Sequence, residues 1–213
     1  MKKTEKIKIP LLLFGMCLAV CWIFVLQYGI FGSDLDWVNQ HSVLPDYFRQ
    51  RFYDTGQLFP DIAWNLGAGQ NIYNFSYYGL FNPIIWISYL LPFVPMSLYI
   101  QITSILSYGA SVVIFYCWLK KKWDDRITLA CTFLFLLAAP LVYHSYNQLM
   151  FVNYMPFLCA AFLGVDKYVE EKKKALLLCG VCGMILTSFF FSIGGLLALG
   201  IYVASKFTEK RIK

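Results

Sequence analysis

Long apolar runs alternate with short charged clusters along most of the chain. Four lysines precede the first apolar run, and we assign a first span to residues 8–31. At about 1.5 Å rise per residue, this helix reaches roughly 34 Å, enough to cross a hydrocarbon core about 30 Å thick. The run is too long for a secretory signal core and lacks a small-residue cleavage site. The pattern therefore predicts an uncleaved membrane helix.

The other apolar runs lie within residues 83–207 and predict five further spans. Residues 83–95 contain three prolines and are expected at the membrane interface. The last run is too long for one span, so we divide it at a turn near residues 189–195. The predicted fold is an all-α integral membrane protein with about six transmembrane helices and a long, partly helical first loop. The later spans are predicted at residues 96–119, 127–143, 149–165 and, as two short helices, within 175–207.

The basic residues lie mostly on one side of this predicted arrangement. Of the 18 lysines and arginines, 16 flank the spans on the side of the two termini, and only Arg49 and Arg51 fall on the other side. Cytoplasmic loops of membrane proteins are enriched in Lys and Arg. We therefore expect a multi-pass protein with both termini in the cytoplasm and with loop 32–82 outside.

The composition supports the same class of protein. Hydrophobic residues make up 59% of the chain and charged residues 14%, whereas soluble domains have about 45–50% and about 25%. Much of the surface must therefore face lipid. The net charge of +6 does not indicate a nucleic-acid partner, because the bases lie in clusters between apolar runs and form no basic stripe.

Residues 32–82 form the longest polar stretch, with five acids, two bases and many aromatic residues. Within it, residues 42–55 predict a helix that Ser42 caps and Gly56 ends, with Pro45 tolerated in the first turn. One face of this helix is apolar and suited to the bilayer interface, so we expect the loop to lie folded on the membrane surface. That face consists of Val43, Leu44, Tyr47, Phe48 and Phe52.

Asp34 and Asp36 are the clearest candidates for chemistry, because they follow the end of the first span. Two acids at this spacing can bind a divalent cation, or one can act as a general base toward a sugar hydroxyl. The alternative is that they are ordinary interfacial acids at the outer end of a helix. His41 and His144 are weaker candidates, since no partner is visible for either in the sequence.

The loop motifs resemble those of a known family. Gly32-Ser33-Asp34-Leu35-Asp36-Trp37-Val38-Asn39-Gln40-His41 is similar to the first external loop of the bacterial YfhO family, in which an Asp and then a Gln follow the first span. The motifs Asn65-Leu66-Gly67-Ala68-Gly69-Gln70-Asn71 and Tyr77-Tyr78-Gly79-Leu80-Phe81-Asn82-Pro83 resemble its later loop regions. The likeness continues through Asn153-Tyr154-Met155-Pro156-Phe157, Asp166-Lys167-Tyr168 and Ser188-Phe189-Phe190-Phe191-Ser192-Ile193-Gly194.

That family is similar to the GT-C class of membrane glycosyltransferases, and the resemblance implies a GT-C-like fold and activity. Such enzymes take a sugar from a polyprenyl-phosphate carrier at the outer face, use acids of the first external loop, and in some cases need a divalent cation such as Mg²⁺ or Mn²⁺. The implied partners are membrane lipid, a lipid-linked sugar donor and a cell-envelope glycopolymer acceptor such as a teichoic acid. The implied location is the bacterial cell membrane.

The resemblance implies roles for particular residues of the loop. Asp36 and Asp34 are the expected catalytic acids and also the expected metal ligands. Substrate binding is assigned to six further loop residues, namely Gln40, His41, Arg49, Asn71, Tyr77 and Tyr78.

Two other functions stay open at this point. The chain can be a transporter or flippase subunit for a lipid-linked sugar, or a membrane fragment without catalytic activity. Transporters tend to carry ionisable residues within their spans, and we identify none there, which favours surface chemistry. Members of the YfhO family are usually much longer, so we expect residues 1–213 to be a single membrane domain from the N-terminal part of a longer protein.

Overall fold

A computed structural model describes residues 5–212, and nearly all of its regular structure is helical. A two-residue antiparallel pairing of β1 (Ile62–Ala63) with β2 (Gln70–Asn71) is the exception within this described part. Short helical turns of π or 3₁₀ type lie at Trp37–His41, Ile72–Tyr78 and Ser88–Leu90. The α-helices are α1 (Glu5–Tyr28), α2 (Val43–Thr55), α3 (Pro83–Ile87), α4 (Met96–Leu119), α5 (Asp125–Leu136), α6 (Ala139–Asn147), α7 (Leu149–Glu171), α8 (Ala175–Thr187) and α9 (Phe189–Ile212).

Four of these helices, α1, α4, α7 and α9, are long and apolar enough to cross a membrane. Helices α5 and α6 form a fifth candidate span that bends by 43°. The sequence predicted a single span there, at residues 127–143, ended by Pro140 and the polar residues that follow. The break falls just before Pro140, whose ring cannot continue a preceding helix without a clash. The all-α membrane class predicted from the sequence is confirmed.

Helix α8 has only 13 residues, yet it runs back along α7. A Cβ atom on Gly164 would lie 2.5 Å from the backbone nitrogen of Leu177, and one on Gly180 would lie 2.7 Å from that of Ala161. These contacts are antiparallel and bring the two backbones together, as small residues do between membrane helices. The described chain therefore passes six times between two ends of a bundle. We call them the loop end, which carries residues 32–95, and the lysine end, which carries residues 120–122 and 172–174.

The turn between the last two passes is shorter than the sequence predicted. Helix α8 ends at Thr187 and α9 begins at Phe189, so Ser188 alone connects them. Residues 189–195, predicted as the turn, form the first two turns of α9. A Cβ on Gly195 would meet the hydroxyl group of Tyr154 on α7, so this glycine permits close helix packing and is not a turn residue.

Helix α2 occupies the place that the sequence predicted, but its capping differs. The helix begins at Val43, and the side chain of Ser42 does not cap it. The Ser42 Oγ instead donates a hydrogen bond to the carbonyl of Val38 at 3.2 Å. Gly56 ends the helix in the left-handed conformation, with φ of 70°, which glycine adopts without steric cost.

Most of the apolar face of α2, which the sequence assigned to the bilayer interface, packs inside the protein, although Val43 of that face is exposed. Leu44 and Phe48 are buried in a core that the loop shares with α3 and with the first turns of α4 and α7. A second core lies within the bundle and is built mainly from α1, α4 and α7. Loop 32–82 is therefore a cap that packs on one end of the bundle.

The lysine end contains a buried carboxylate, Asp166, one residue beyond the span predicted at residues 149–165. Asp166 is 1% exposed because α7 continues past it to Glu171. Its Oδ2 atom lies 2.8 Å from the Nζ of Lys122, and its Oδ1 accepts a hydrogen bond from the Tyr202 hydroxyl at 2.5 Å. The Lys122 ammonium also lies 4.2 Å from the centre of the Trp118 ring. This cluster joins α4, α7 and α9.

Candidate functional site at the loop end

The two acids that follow α1 lie on a turn held by a glycine. A Cβ on Gly32 would lie 2.6 Å from the ring of Trp37, so only glycine lets this buried ring pack against the backbone. Asp34 is exposed at the turn, and Asp36 is half-buried just before the π-helical turn. The backbone N–H of Asp36 donates to the Oγ of Ser33 at 3.4 Å, which closes the turn.

Neither carboxylate is used in an ion pair within the described residues, whereas two other acids of the loop are. Asp46 pairs with Arg49 at 2.6 Å, and Asp54 pairs with Arg51 at 3.6 Å. Asp34 is close enough to the Tyr146 phenol of α6 to interact with it electrostatically, and Asp36 acts in the same way on His41. The two acids thus remain available at the loop end.

His41 is buried and connects the loop to the bundle. Its Nδ1 accepts a hydrogen bond from the backbone N–H of Leu149, the first residue of α7, at 3.4 Å. Burial lowers the pKa of His41 to about 4, and the nearby charge of Asp36 opposes this shift only in part. The imidazole is therefore neutral near pH 7, with its proton on Nε2, a tautomer that we assign from the hydrogen bond.

Aromatic contacts continue from His41 to the two tyrosines of the loop. The His41 ring lies 6.2 Å from that of Tyr78, and Tyr78 lies 5.7 Å from Tyr77. The Tyr77 ring lies 5.5 Å from that of Phe189, and burial raises the pKa of Tyr77. The structure thus brings together four of the predicted site residues, namely Asp36, His41, Tyr77 and Tyr78.

The other predicted binding residues lie apart from this group. Arg49 is buried, and its Nη1 donates to the carbonyls of Leu91 and Val94 at 3.4 and 2.9 Å, so it fastens α2 to the residues before α4. Asn71 is exposed on β2, where its side chain accepts a hydrogen bond from the N–H of Tyr73 at 2.9 Å. Gln40 is half-buried on the π-helical turn.

A cavity of about 440 Å³ opens beside Tyr77, and we call it the aromatic pocket. It lies between the 3₁₀ turn of the loop, the junction of α6 and α7, and the start of α9. Sequence reasoning weighed His144 as a residue of another loop that could face the site, but it missed Gln148 and the phenylalanines. The lining residues are Tyr77, His144, Gln148, Phe189, Phe190 and Phe191.

A second cavity of about 360 Å³ lies on the other side of α2, and residues such as Asp46, Arg49 and Ser97 line it. Neither Asp34 nor Asp36 lines this cavity. Arg49 and Tyr77, both predicted to bind substrate, therefore line different cavities. The polar cluster at residues 144–148, which separates two predicted spans, was the sequence signal for the aromatic pocket.

Metal binding at this end would depend on the two acids together with a ligand. The described residues contain no group of three or more His, Cys, Asp or Glu side chains that could hold a metal ion. A Mg²⁺ ion is commonly bound by one or two carboxylates together with water and substrate phosphate oxygens. Asp34 and Asp36 fit this second kind of site, in which the substrate completes the coordination.

The six-pass helical bundle and the packed cap define a polytopic membrane protein. A family model described as bacterial membrane protein YfhO matches residues 7–213, so the chain belongs to the YfhO family of bacterial membrane proteins. No curated protein and no solved structure matches it.

Proposed function

We propose that this protein is a membrane glycosyltransferase module that takes a sugar from a polyprenyl-phosphate carrier and transfers it to a cell-envelope glycopolymer such as a teichoic acid. The observation that carries the proposal is the pair of uncommitted carboxylates, Asp34 and Asp36, at the end of α1. The other acids of the described chain include six that form ion pairs with Lys or Arg.

The position of these acids suits a lipid-linked donor. They follow the last turn of α1, which ends at Tyr28, so they lie where a membrane helix meets the headgroup layer. The sugar and phosphate of a polyprenyl-linked donor occupy the same depth, because the prenyl chain stays in the hydrocarbon. A carboxylate at this depth can reach the bond that is broken.

The proposed reaction uses the carboxylate as a general base. An acceptor hydroxyl attacks the anomeric carbon of the sugar, and a new carbon–oxygen bond forms while the bond to the phosphate oxygen breaks. The hydroxyl proton passes to Asp36 or Asp34, and polyprenyl phosphate leaves as an anion. General-base assistance of this kind contributes typically about 10²–10⁴ in rate.

We propose that a divalent cation, Mg²⁺ or Mn²⁺, assists this step. Asp34 or Asp36 would hold the cation, which would supply positive charge to offset the negative charge that develops on the leaving group. A second proposed role belongs to the neutral His41, which holds the segment carrying Asp36 against α7 through its hydrogen bond to Leu149.

A transporter or flippase subunit is the alternative function, and the burial of Asp166 bears on it. Ionisable residues that serve transport face a cavity or a pathway within the membrane. Asp166 lies at the lysine end, where Lys122 and Tyr202 occupy both of its oxygen atoms. This arrangement favours a structural role, so surface chemistry at the loop end remains the preferred function.

The experiment is transfer by the full-length protein in a strain that lacks it, with envelope glycosylation measured by mass spectrometry. We expect Asp34→Asn or Asp36→Asn to lower transfer by about 10²–10⁴-fold. Asp61→Asn is the matched control, because it removes an exposed carboxylate from the same loop and should leave transfer unchanged. Protein levels are compared by immunoblot, and normal glycosylation in both single variants and the double variant would rule the catalytic role out.

The cation is tested on the purified protein. Transfer from a prenyl phosphate that carries one hexose should cease after treatment with EDTA and should return when Mg²⁺ or Mn²⁺ is added. Full activity in EDTA would remove the cation from the proposal and would leave the role of the acids to the variants above.

A further inference from the structure

We propose that the aromatic pocket binds the saccharide ring of the lipid-linked donor, with Gln148 and His144 as the residues that recognise its hydroxyl groups. This inference rests on the proposed function, since it assigns one part of the donor to one cavity. It adds His144 of α6, Gln148 between α6 and α7, and the start of α9 to a site whose predicted binding residues all lie in the first loop.

The size and walls of the pocket suit a single sugar. A volume of about 440 Å³ lies in the lower part of the range of small-molecule sites, roughly 300–1,000 Å³. Aromatic rings line most of it, and the carbon–hydrogen face of a sugar packs well on the face of such a ring. Tyr77 is held in place by the rings of Tyr78 at 5.7 Å and Phe189 at 5.5 Å, so this wall is formed before a ligand arrives.

Two polar atoms of the lining residues have no partner. The Nδ1 of His144 and the Oε1 of Gln148 are shut off from solvent and make no hydrogen bond. Buried polar groups almost always have such a partner. The two orientations of an imidazole or an amide differ by a half-turn that keeps the shape of the side chain, so the polar atoms of these residues can turn to meet a ligand in the cavity that they line. Hydroxyl groups of a bound ligand can then supply the missing donors.

The chemistry of the lining separates a sugar from the other parts of the donor. None of the six lining residues is Lys, Arg, Asp or Glu, so nothing in the pocket matches a phosphate with a full opposite charge. A prenyl chain would need only the phenylalanines and would leave the two polar atoms unpaired. A neutral ligand that is rich in hydroxyl groups and has an apolar ring face matches both features.

The pocket is also connected to the acids. Tyr77 lies in its wall, Tyr78 is the next residue, and the Tyr78 ring faces His41, which interacts with Asp36. The saccharide and the carboxylates are thus assigned to the same end of the bundle. The pocket would position the sugar, and the acids would act on the bond that joins it to phosphate.

The test is a binding measurement on the protein in nanodiscs with three probes. They are a farnesyl phosphate that carries one hexose, farnesyl phosphate without a sugar, and a glycerol phosphate trimer as a model of the acceptor. We expect the sugar-bearing probe to bind about tenfold more tightly than the sugarless one, a difference that one or two buried hydrogen bonds can supply.

Two variants assign this preference to the pocket. Gln148→Leu and His144→Phe should each reduce the preference for the sugar-bearing probe to about twofold or less, because each removes polar atoms and keeps the approximate volume. Gln101→Leu makes the same change on α4, where Gln101 contacts Ser97 and does not line the pocket, so it should keep the preference. Thermal unfolding of each variant shows whether it is folded.

Equal binding of the two farnesyl probes, or an unchanged preference in both pocket variants, would overturn the assignment. Displacement of the sugar-bearing probe by glycerol phosphate but not by free hexose would overturn it as well, since the pocket would then take the acceptor. The transfer assay tests the acids independently of the binding measurement on the pocket. If the Asp34→Asn, Asp36→Asn double variant keeps transfer while Gln148→Leu loses sugar binding, the pocket stands and the catalytic proposal fails; the reverse result removes only the pocket.

Discussion

The Nδ1 of His41 accepts a hydrogen bond from the backbone N–H of Leu149, across 108 positions of the sequence. Leu149 is the first residue of α7, and its N–H has no partner within that helix. The bond therefore satisfies a free helix donor and at the same time fixes the segment that carries Asp36. Only a neutral imidazole can accept it, which makes this junction sensitive to pH.

We expect the stability of the protein to fall as the pH is lowered through the range set by His41. The pKa falls from 6.5 to about 4 on folding, so between these values the unfolded state binds the extra proton and the folded state does not. The stabilisation is thus complete above about pH 6.5 and is lost toward pH 4. It amounts to on the order of 3 kcal/mol.

This pH dependence is measured as the melting temperature in detergent at pH 7 and pH 4.5. His41→Gln keeps an acceptor for the Leu149 N–H but does not titrate, so its melting temperature should fall less between the two pH values. An equal fall in both proteins would show that other groups are responsible.

Removing Lys122 should destabilise the lysine end. Lys122→Met leaves the buried Asp166 carboxylate without its cation, a change that costs on the order of 3 kcal/mol. Adding Asp166→Leu removes the uncompensated charge and should recover much of this loss. Melting temperatures of the single and double variants check the prediction.

Lys121→Met is the matched control for this prediction. Its ion pair with Glu170 spans 4.0 Å at the surface, and exposed pairs contribute about 0–1 kcal/mol. If Lys121→Met lowers the melting temperature as much as Lys122→Met, burial of Asp166 does not determine how much its ion pair with Lys122 contributes to stability.

Gly180→Ala should loosen the packing of α8 on α7. The new methyl group would lie within 2.8 Å of the backbone of Ala161, and a backbone cannot move aside as a flexible side chain does. We expect a loss of about 1–3 kcal/mol and a lower melting temperature. Gly200→Ala meets no atom within 4 Å and should be neutral or slightly stabilising, since alanine favours helices. Equal effects of the two would contradict the close approach of these helices.

Reporter fusions should place Gln57 outside and Lys121, Lys172 and Lys210 inside the cell. The prediction follows from the distribution of lysines and arginines and from the six passes between the loop end and the lysine end. An external reporter at Lys210 would exclude six crossings. An internal reporter at Gln57 would invert the arrangement and would place the acids on the cytoplasmic side.

Local sequence patterns were sufficient to predict the helices whose apolar runs are bounded by polar or charged residues. The apolar runs gave α1, α4 and α7 close to their observed places, and Gly56 gave the end of α2, because such signals act within a few residues. The acids after α1 also follow from order along the chain. Local patterns do not show what the apolar face of a helix packs against. The apolar face of α2 was therefore assigned to lipid, although Leu44 and Phe48 pack inside the protein.

The sequence by itself determined the membrane class, the order of the spans and the loop that carries Asp34 and Asp36, because hydrophobicity and charge bias are sums over neighbouring residues. The tertiary structure alone decided which distant residues meet. It placed Asp166 beside Lys122 and Tyr202, and it assembled the aromatic pocket from positions 77, 144, 148 and 189–191. Contacts of this kind depend on how whole helices pack against one another, and no local pattern encodes that geometry.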